Sequence, residues 1–118
     1  MDGCIFCRIA SGEIPAAVVY EDETVVAFDD VSPQAPVHVL IVPRAHYAHL
    51  GDGIPADVLA GLFAAVPRVA DAKGLGKRGY RVIVNAGPDA MQTVPHLHVH
   101  VMGGARMGHG MVQFAEEG

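Results

Sequence analysis

The stretch Pro95-His96-Leu97-His98-Val99-His100-Val101-Met102 decides how the rest of the chain is read. Side chains alternate faces along a strand, so His96, His98 and His100 fall on one face and Leu97, Val99 and Val101 on the other. The apolar face suits packing against a helix. The histidine face sets imidazoles about 6.6 Å apart by strand rise. Gly103-Gly104 stops the strand. Imidazole near neutral pH either binds metal or acts as nucleophile, acid or base. A single histidine on such a strand would be an ordinary polar surface residue. Three in strict alternation against an apolar opposite face point to a site.

Working outward, Tyr80 to Asn85 reads as the preceding strand, with a turn at Gly87-Pro88-Asp89. Before it, Val58, Leu59, Leu62, Phe63, Val66, Val69 and Ala70 recur at helical spacing. Pro55 suits the first turn of that helix and Gly74 its left-handed exit, while Pro67 is expected to kink or split it. Val37 to Val42 is a strand of buried type ended by Pro43, and the loop Val31 to Pro36 precedes it. Ala17 to Glu21 and Thr24 to Asp29 have hairpin spacing around an acidic turn. Cys4 to Gly12 reads as a short helix or turn. Five strands, with one long helix inserted between the third and fourth, give an α+β fold with a mainly antiparallel sheet. Residues 1–118 are expected to form a single domain, with a tail from Ala105 that carries no periodic signal.

Composition narrows the function. Half of the 118 residues are hydrophobic (51%) and 18% are charged, enough for one packed core and too apolar for disorder. The net charge of -5 provides no global field for nucleic acid or an anionic membrane. There is no apolar run long enough to span a bilayer and no signal-peptide pattern at the start, so a cytoplasmic protein is expected. The two cysteines, Cys4 and Cys7, are too close for a stapling disulfide but have metal-ligand spacing. One such pair is half of a tetrahedral site. Two unliganded thiols or a redox pair are the other readings.

His96-Leu97-His98-Val99-His100-Val101-Met102 resembles in full the signature of the histidine triad (HIT) superfamily, in which histidines alternate with apolar residues. Phe28 to His38 looks like the nucleotide-side loop and following strand of the Hint branch, and Val82-Ile83-Val84-Asn85-Ala86-Gly87 like its Asn-containing strand. Gly12-Glu13-Ile14-Pro15 and Gly103-Gly104 also fit in order and spacing. The resemblance covers about residues 4 to 104.

The resemblance implies a nucleotide-binding hydrolase of Hint type, built on the HIT-like sheet-and-helix fold. His98 would be the nucleophile, forming a transient nucleotidyl-histidine at the α-phosphorus. His100 would contact the phosphate and help the leaving group, and the buried His38 would support the nucleophile from behind. Asn85 and Thr93 would hold the phosphate and leaving group. Asp30 would accept the ribose hydroxyls, with Ile5, Phe6 and Val31 walling the base. Gln92 resembles the Fhit-branch glutamine that meets polyphosphate substrates. Cys4, Cys7, His46 and His96 would hold a structural Zn2+, coordinatively full and with no part in the chemistry. His49 and His109 are expected on the surface. The implied substrate is a purine nucleoside phosphoramidate, releasing AMP or GMP, and the implied assembly is a homodimer through the long helix and fourth strand. A dinucleoside polyphosphate hydrolase and a non-catalytic zinc-stabilised nucleotide-binding module are the rival readings.

Overall fold

A computed structural model describes residues 3–115. The elements run α1 (Ile5–Ala10), β1 (Val18–Glu21), β2 (Val25–Asp29), β3 (Val37–Pro43), α2 (Ala56–Ala72), β4 (Arg81–Ile83), a 3-10 turn (Pro88–Ala90) and β5 (Val99–Gly103). The strands form one sheet in the order β1-β2-β3-β5-β4, and every neighbouring pair is antiparallel. The expected α+β architecture, with five strands and a long helix between the third and fourth, is therefore what the chain adopts. No helix is long and apolar enough to cross a membrane.

Strand alternation divides the core in two. Val25, Ala27, Val39, Ile41, Val99 and Val101 face α2, where Leu62, Ala65, Val66, Val69 and Ala70 meet them. On the opposite face Val26, Phe28, Leu40 and Val42 pack under Phe6 and Ala10 of α1. Fully burying an aliphatic side chain such as Val99 or Val101 stabilises by roughly 1.5–3 kcal/mol. Burial on both faces explains the apolar run Val39 to Val42 of β3. The β1–β2 turn is held by Asp22, whose Oδ1 accepts the amides of Thr24 (2.8 Å) and Val25 (3.0 Å).

Three expectations need correction. Pro67 does not split α2, which is continuous over 17 residues; the proline sits on its exposed side. The stripe is also narrower than its apolar residues suggest. Val58 and Leu59 are half-buried and Phe63 stays 40% exposed. Finally, β4 and β5 are short. The chain from Pro95 to His98 bends off the ladder, with the His96 amide donating to Val94 O (2.8 Å) and the Leu97 amide to Tyr47 O (2.7 Å). Only from Val99 does it pair with β3 and β4. Gly74, at φ +72, turns the chain out of α2 as expected.

Candidate active site

The strand register places the site. Phe28 pairs with Leu40, Leu40 with His100, and His100 with Ile83, so one row crosses four strands on the face away from α2. In the next row His38 pairs with Met102. His98, just before β5, lies beside His100 with ring centroids 5.0 Å apart, closer than strand rise alone would set them. Phe6 from α1 meets the His98 ring edge-on at 5.2 Å.

Obligate donors and acceptors fix each imidazole's tautomer. His98 Nδ1 lies 2.7 Å from the main-chain oxygen of His96, which can only accept, so Nδ1 carries the proton. In the neutral imidazole the Nε2 lone pair of His98 is then free. The Gln34 amide donates to His38 Nδ1 at 2.9 Å, which leaves the proton of neutral His38 on Nε2. That N–H points at His100 Nδ1, 2.8 Å away. His100 must then accept at Nδ1 and carry its own proton on Nε2. A protonated His100 would face His38 with two hydrogens in one contact. Its pKa is accordingly pushed down to about 4, first by burial and then by the neighbouring His98 and His38. Burial lowers the His38 pKa too, against the opposing pull of the Asp30 carboxylate, whose Oδ2 lies 3.5 Å from His38 Nε2. Asp30, His38 and His100 lie close enough together for a shared metal ion, yet the proton on His38 Nε2 points at His100 and leaves no ligand atom there. The hydrogen-bonded relay runs from the Gln34 amide through His38 to His100, with the Asp30 carboxylate beside it.

A cavity of about 540 Å³ opens over this row. Of the residues expected to bind nucleotide, Ile5, Phe6, Asp30, Val31, Thr93, His98 and His100 all line it. Asp30 Oδ1 accepts the Ser32 amide at 2.9 Å, which anchors the carboxylate at the cavity edge. Val31 stands 97% exposed on the rim. Asn85 lies behind, with its amide nitrogen 3.5 Å from His100 Nε2; that nitrogen only donates, so the Nε2–H stays available. His38 contacts His100 rather than the middle histidine it was expected to support.

Gln92 does not join the cavity. Its amide donates to Ala48 O (2.7 Å) and Val94 O (3.0 Å) and accepts the Gly87 amide (3.0 Å). Both N–H groups and one oxygen lone pair thus tie three backbone segments together. Sequence reasoning passed over Phe28 and Leu40, which floor the cavity. Alternation marks them as buried, but only cross-strand register places them beside His100. His49 and His109 are exposed, as expected, and His49 Nδ1 accepts the Gly51 amide at 3.0 Å within its own loop.

His96 turns the other way. It is fully buried, and its Nε2–H donates to Pro43 O at 3.0 Å, which aims the Nδ1 lone pair at Cys4 Sγ (3.2 Å) and Cys7 Sγ (3.4 Å). His46 Nδ1 lies 3.2 Å from Cys7 Sγ. All four donor atoms fall within 4.8 Å of one another. The edge of a tetrahedral zinc site with two sulfur and two nitrogen ligands is about 3.6 Å between S and N. The donor set, the spacing and the Pro43 carbonyl that orients His96 thus fit zinc.

An antiparallel five-stranded sheet, a helix packed on one face and an alternating histidine row on the other define a histidine-triad fold. The sequence profile of the HIT domain matches residues 11–107, and the chain belongs to the HIT family. It is 42% identical over 107 residues to the 14 kDa zinc-binding protein of Brassica juncea, covering 87% of this chain and 94% of that one. A HIT family hydrolase from Legionella pneumophila superposes with a TM-score of 0.86 at 42% identity, covering 91% of this chain and 97% of that one. The histidine triad nucleotide-binding protein from Candida albicans superposes at 0.82 with 34% identity, covering 98% and 87% respectively.

Proposed function

We propose that the chain hydrolyses purine nucleoside phosphoramidates at the α-phosphorus through a nucleotidyl intermediate on His98. One observation carries the reading: the His96 carbonyl holds the Nδ1 proton of His98 and leaves a bare Nε2 lone pair in a cavity of nucleoside size, beside the Nε2–H of a neutral His100. Nε2 attacks phosphorus, and the P–N bond breaks with its electron pair going to the amine, which takes a proton from solvent. The positive charge left on His98 is shared with the His96 carbonyl through Nδ1–H. Neutral His100 donates its Nε2–H to a phosphate oxygen, and Asn85 and Thr93 supply further neutral donors. Water then displaces His98, releasing AMP or GMP and one proton. Asp30 takes the ribose hydroxyls, and Ile5, Phe6 and Val31 enclose the base.

Zinc held by Cys4, Cys7, His46 and His96 would be structural, since four protein donors leave no open position. The Legionella and Candida names support hydrolysis and nucleotide binding, and the Brassica name supports zinc. A polyphosphate substrate loses its sequence argument, because Gln92 is committed to backbone groups. We place the protein in the cytoplasm, where two free cysteines stay reduced. We also propose a homodimer through α2 and the edge strand β4, where Phe63, Tyr80 and Val82 remain exposed.

The test is AMP release from adenosine 5'-phosphoramidate, run beside a diadenosine polyphosphate. The wild type should turn over the phosphoramidate faster, and His98→Ala should lose roughly a thousandfold or more of kcat/KM. Preference for the polyphosphate, or turnover surviving in the variant, would refute the proposal.

A further inference from the structure

Helix α1 serves two neighbours at once. Cys4, which caps its first turn, and Cys7 turn their sulfur atoms to His46 and His96, at 3.2 to 3.4 Å. Ile5, Phe6 and Ile9 of the same helix line the histidine cavity. Phe6 stands between the two sites, its ring 6.0 Å from that of His96 and 5.2 Å from that of His98. Ile5 and Phe6 are also the two residues enclosed by the cysteine pair. The wall assigned to the base is thus spanned by the two thiols.

So short a helix has no stability of its own and rests on its ties to the sheet. Phe6 and Ala10 pack on Val26, Phe28, Leu40 and Val42, and Arg44 Nη1 donates to Ala10 O at 2.9 Å. Those contacts hold the middle and the C-terminal end. The thiols hold the first turn. Both are half-buried, within reach of a small oxidant, and their Sγ atoms lie within 4.8 Å of each other. Cβ atoms three positions apart on a helix stand about 5–6 Å apart, whereas a disulfide needs about 3.8 Å. Closing one here would pull both sulfurs inward, away from His46 and His96, and distort the turn that carries Ile5 and Phe6. So small a ring adds little stability to offset that distortion. Helix α1 also packs on the face away from α2, clear of the α2 contact proposed for the dimer.

We infer, on the nucleotide reading above, that Cys4 and Cys7 are a peroxide-sensitive pair whose reversible disulfide loosens the base wall and weakens nucleotide binding. One thiolate attacks the peroxide O–O bond and keeps one oxygen as a sulfenic acid, while the other oxygen leaves as water. The second thiol displaces the sulfenic hydroxyl as a further water and forms the S–S bond. In sum, two thiols and one hydrogen peroxide give one disulfide and two waters. The cysteines give up two electrons, and a dithiol reductant returns them. A disulfide cannot ligate as thiolates do, so the zinc cluster would keep only its two imidazoles. His96 stays anchored through Pro43 O at 3.0 Å, and its carbonyl still holds the Nδ1 proton of His98. The effect therefore falls on binding of the base and leaves the nucleophile's tautomer in place.

Calorimetric titration of the full chain with AMP tests this in three states: reduced, treated with equimolar hydrogen peroxide, and re-reduced with dithiothreitol in the presence of zinc. After peroxide, peptide mass spectrometry should find Cys4 joined to Cys7, with zinc released in step as read by a metal indicator. The Kd for AMP should rise about tenfold or more and return on re-reduction. Methionine sulfoxide would survive dithiothreitol, so that return assigns the effect to the cysteines. Amide NMR should place the changes at Ile5 to Ile9 and leave α2 unmoved, which separates a loosened wall from an unfolded chain. A missing Cys4–Cys7 bond, zinc kept by the crosslinked chain, or a loss of affinity that reduction does not restore would overturn the inference. Equal AMP affinity in all three states would overturn it while leaving the nucleotide reading intact, whereas reduced protein that fails to bind AMP would overturn both.

Discussion

At the scale of single residues, the site is a set of proton positions. The Gln34 amide sets His38, His38 sets His100, and the His96 carbonyl sets His98. His38 and His100 are thereby held neutral, and His98 and His100 each turn a defined edge toward the cavity. The relay carries a pH signature. His100 titrates near 6.5 when unfolded and at about 4 when folded, and the shift of His38 has the same direction. Between those values the unfolded chain binds more protons, so stability rises with pH. Thermal unfolding should show Tm falling as pH drops from 6.5 towards 4. His100→Asn should flatten part of that slope, and an unchanged slope would show that His100 is not held neutral. Asp30 illustrates what a sequence can show at this scale: its place beside the cavity was legible, but its proximity to His38 was not, because that needs the packing of the Asp30 loop against β3.

At the scale of elements, periodicity read the order of strands and helices correctly and misjudged their ends. Alternation from Pro95 to Met102 implied one long strand bearing all three histidines. The chain instead enters the ladder only at Val99, and the bend before it turns His96 towards the cysteines while His98 stays beside His100. Local pattern could not reveal this, because the bend is held by Tyr47, about fifty positions away. Helix α2 shows the same limit. Its apolar residues outnumber those the monomer core can take, and Leu62 and Phe63 are indistinguishable in pattern though opposite in burial. Leu62→Ala should cost about 2–5 kcal/mol in denaturant unfolding. Phe63→Glu should leave the monomer's fold intact and lower the molecular mass measured by light scattering if α2 forms the proposed dimer contact. A variant that unfolds, or that keeps the wild-type mass, would count against that contact.

At the scale of the whole molecule, the cysteine-histidine cluster connects parts that are remote in sequence. Cys4 caps α1 and Cys7 lies within it, His46 follows β3, and His96 leads into the segment that carries His98. A metal there would clamp α1, and with it Phe6, onto the ring of His98. The cysteine pair alone left zinc, free thiols and redox chemistry open. The geometry of His46 and His96 favours the first. The purified protein should contain about one zinc per chain. Chelation or Cys7→Ser should lower Tm by several degrees, as losing even 1–2 kcal/mol would in a chain this size. Metal analysis showing no zinc and a Tm indifferent to chelator would leave the cluster as a pair of half-buried thiols beside two imidazoles.

The proposed reaction turns on attack of the bare Nε2 of His98 on phosphorus. The most direct test is acid-free quenching of the protein during turnover of adenosine 5'-phosphoramidate, followed by mass spectrometry of its peptides. An adenylyl group should be found on His98, forming and decaying at rates that match AMP release. Turnover with no adduct at any time, or an adduct on His100 or His38 instead, would contradict it.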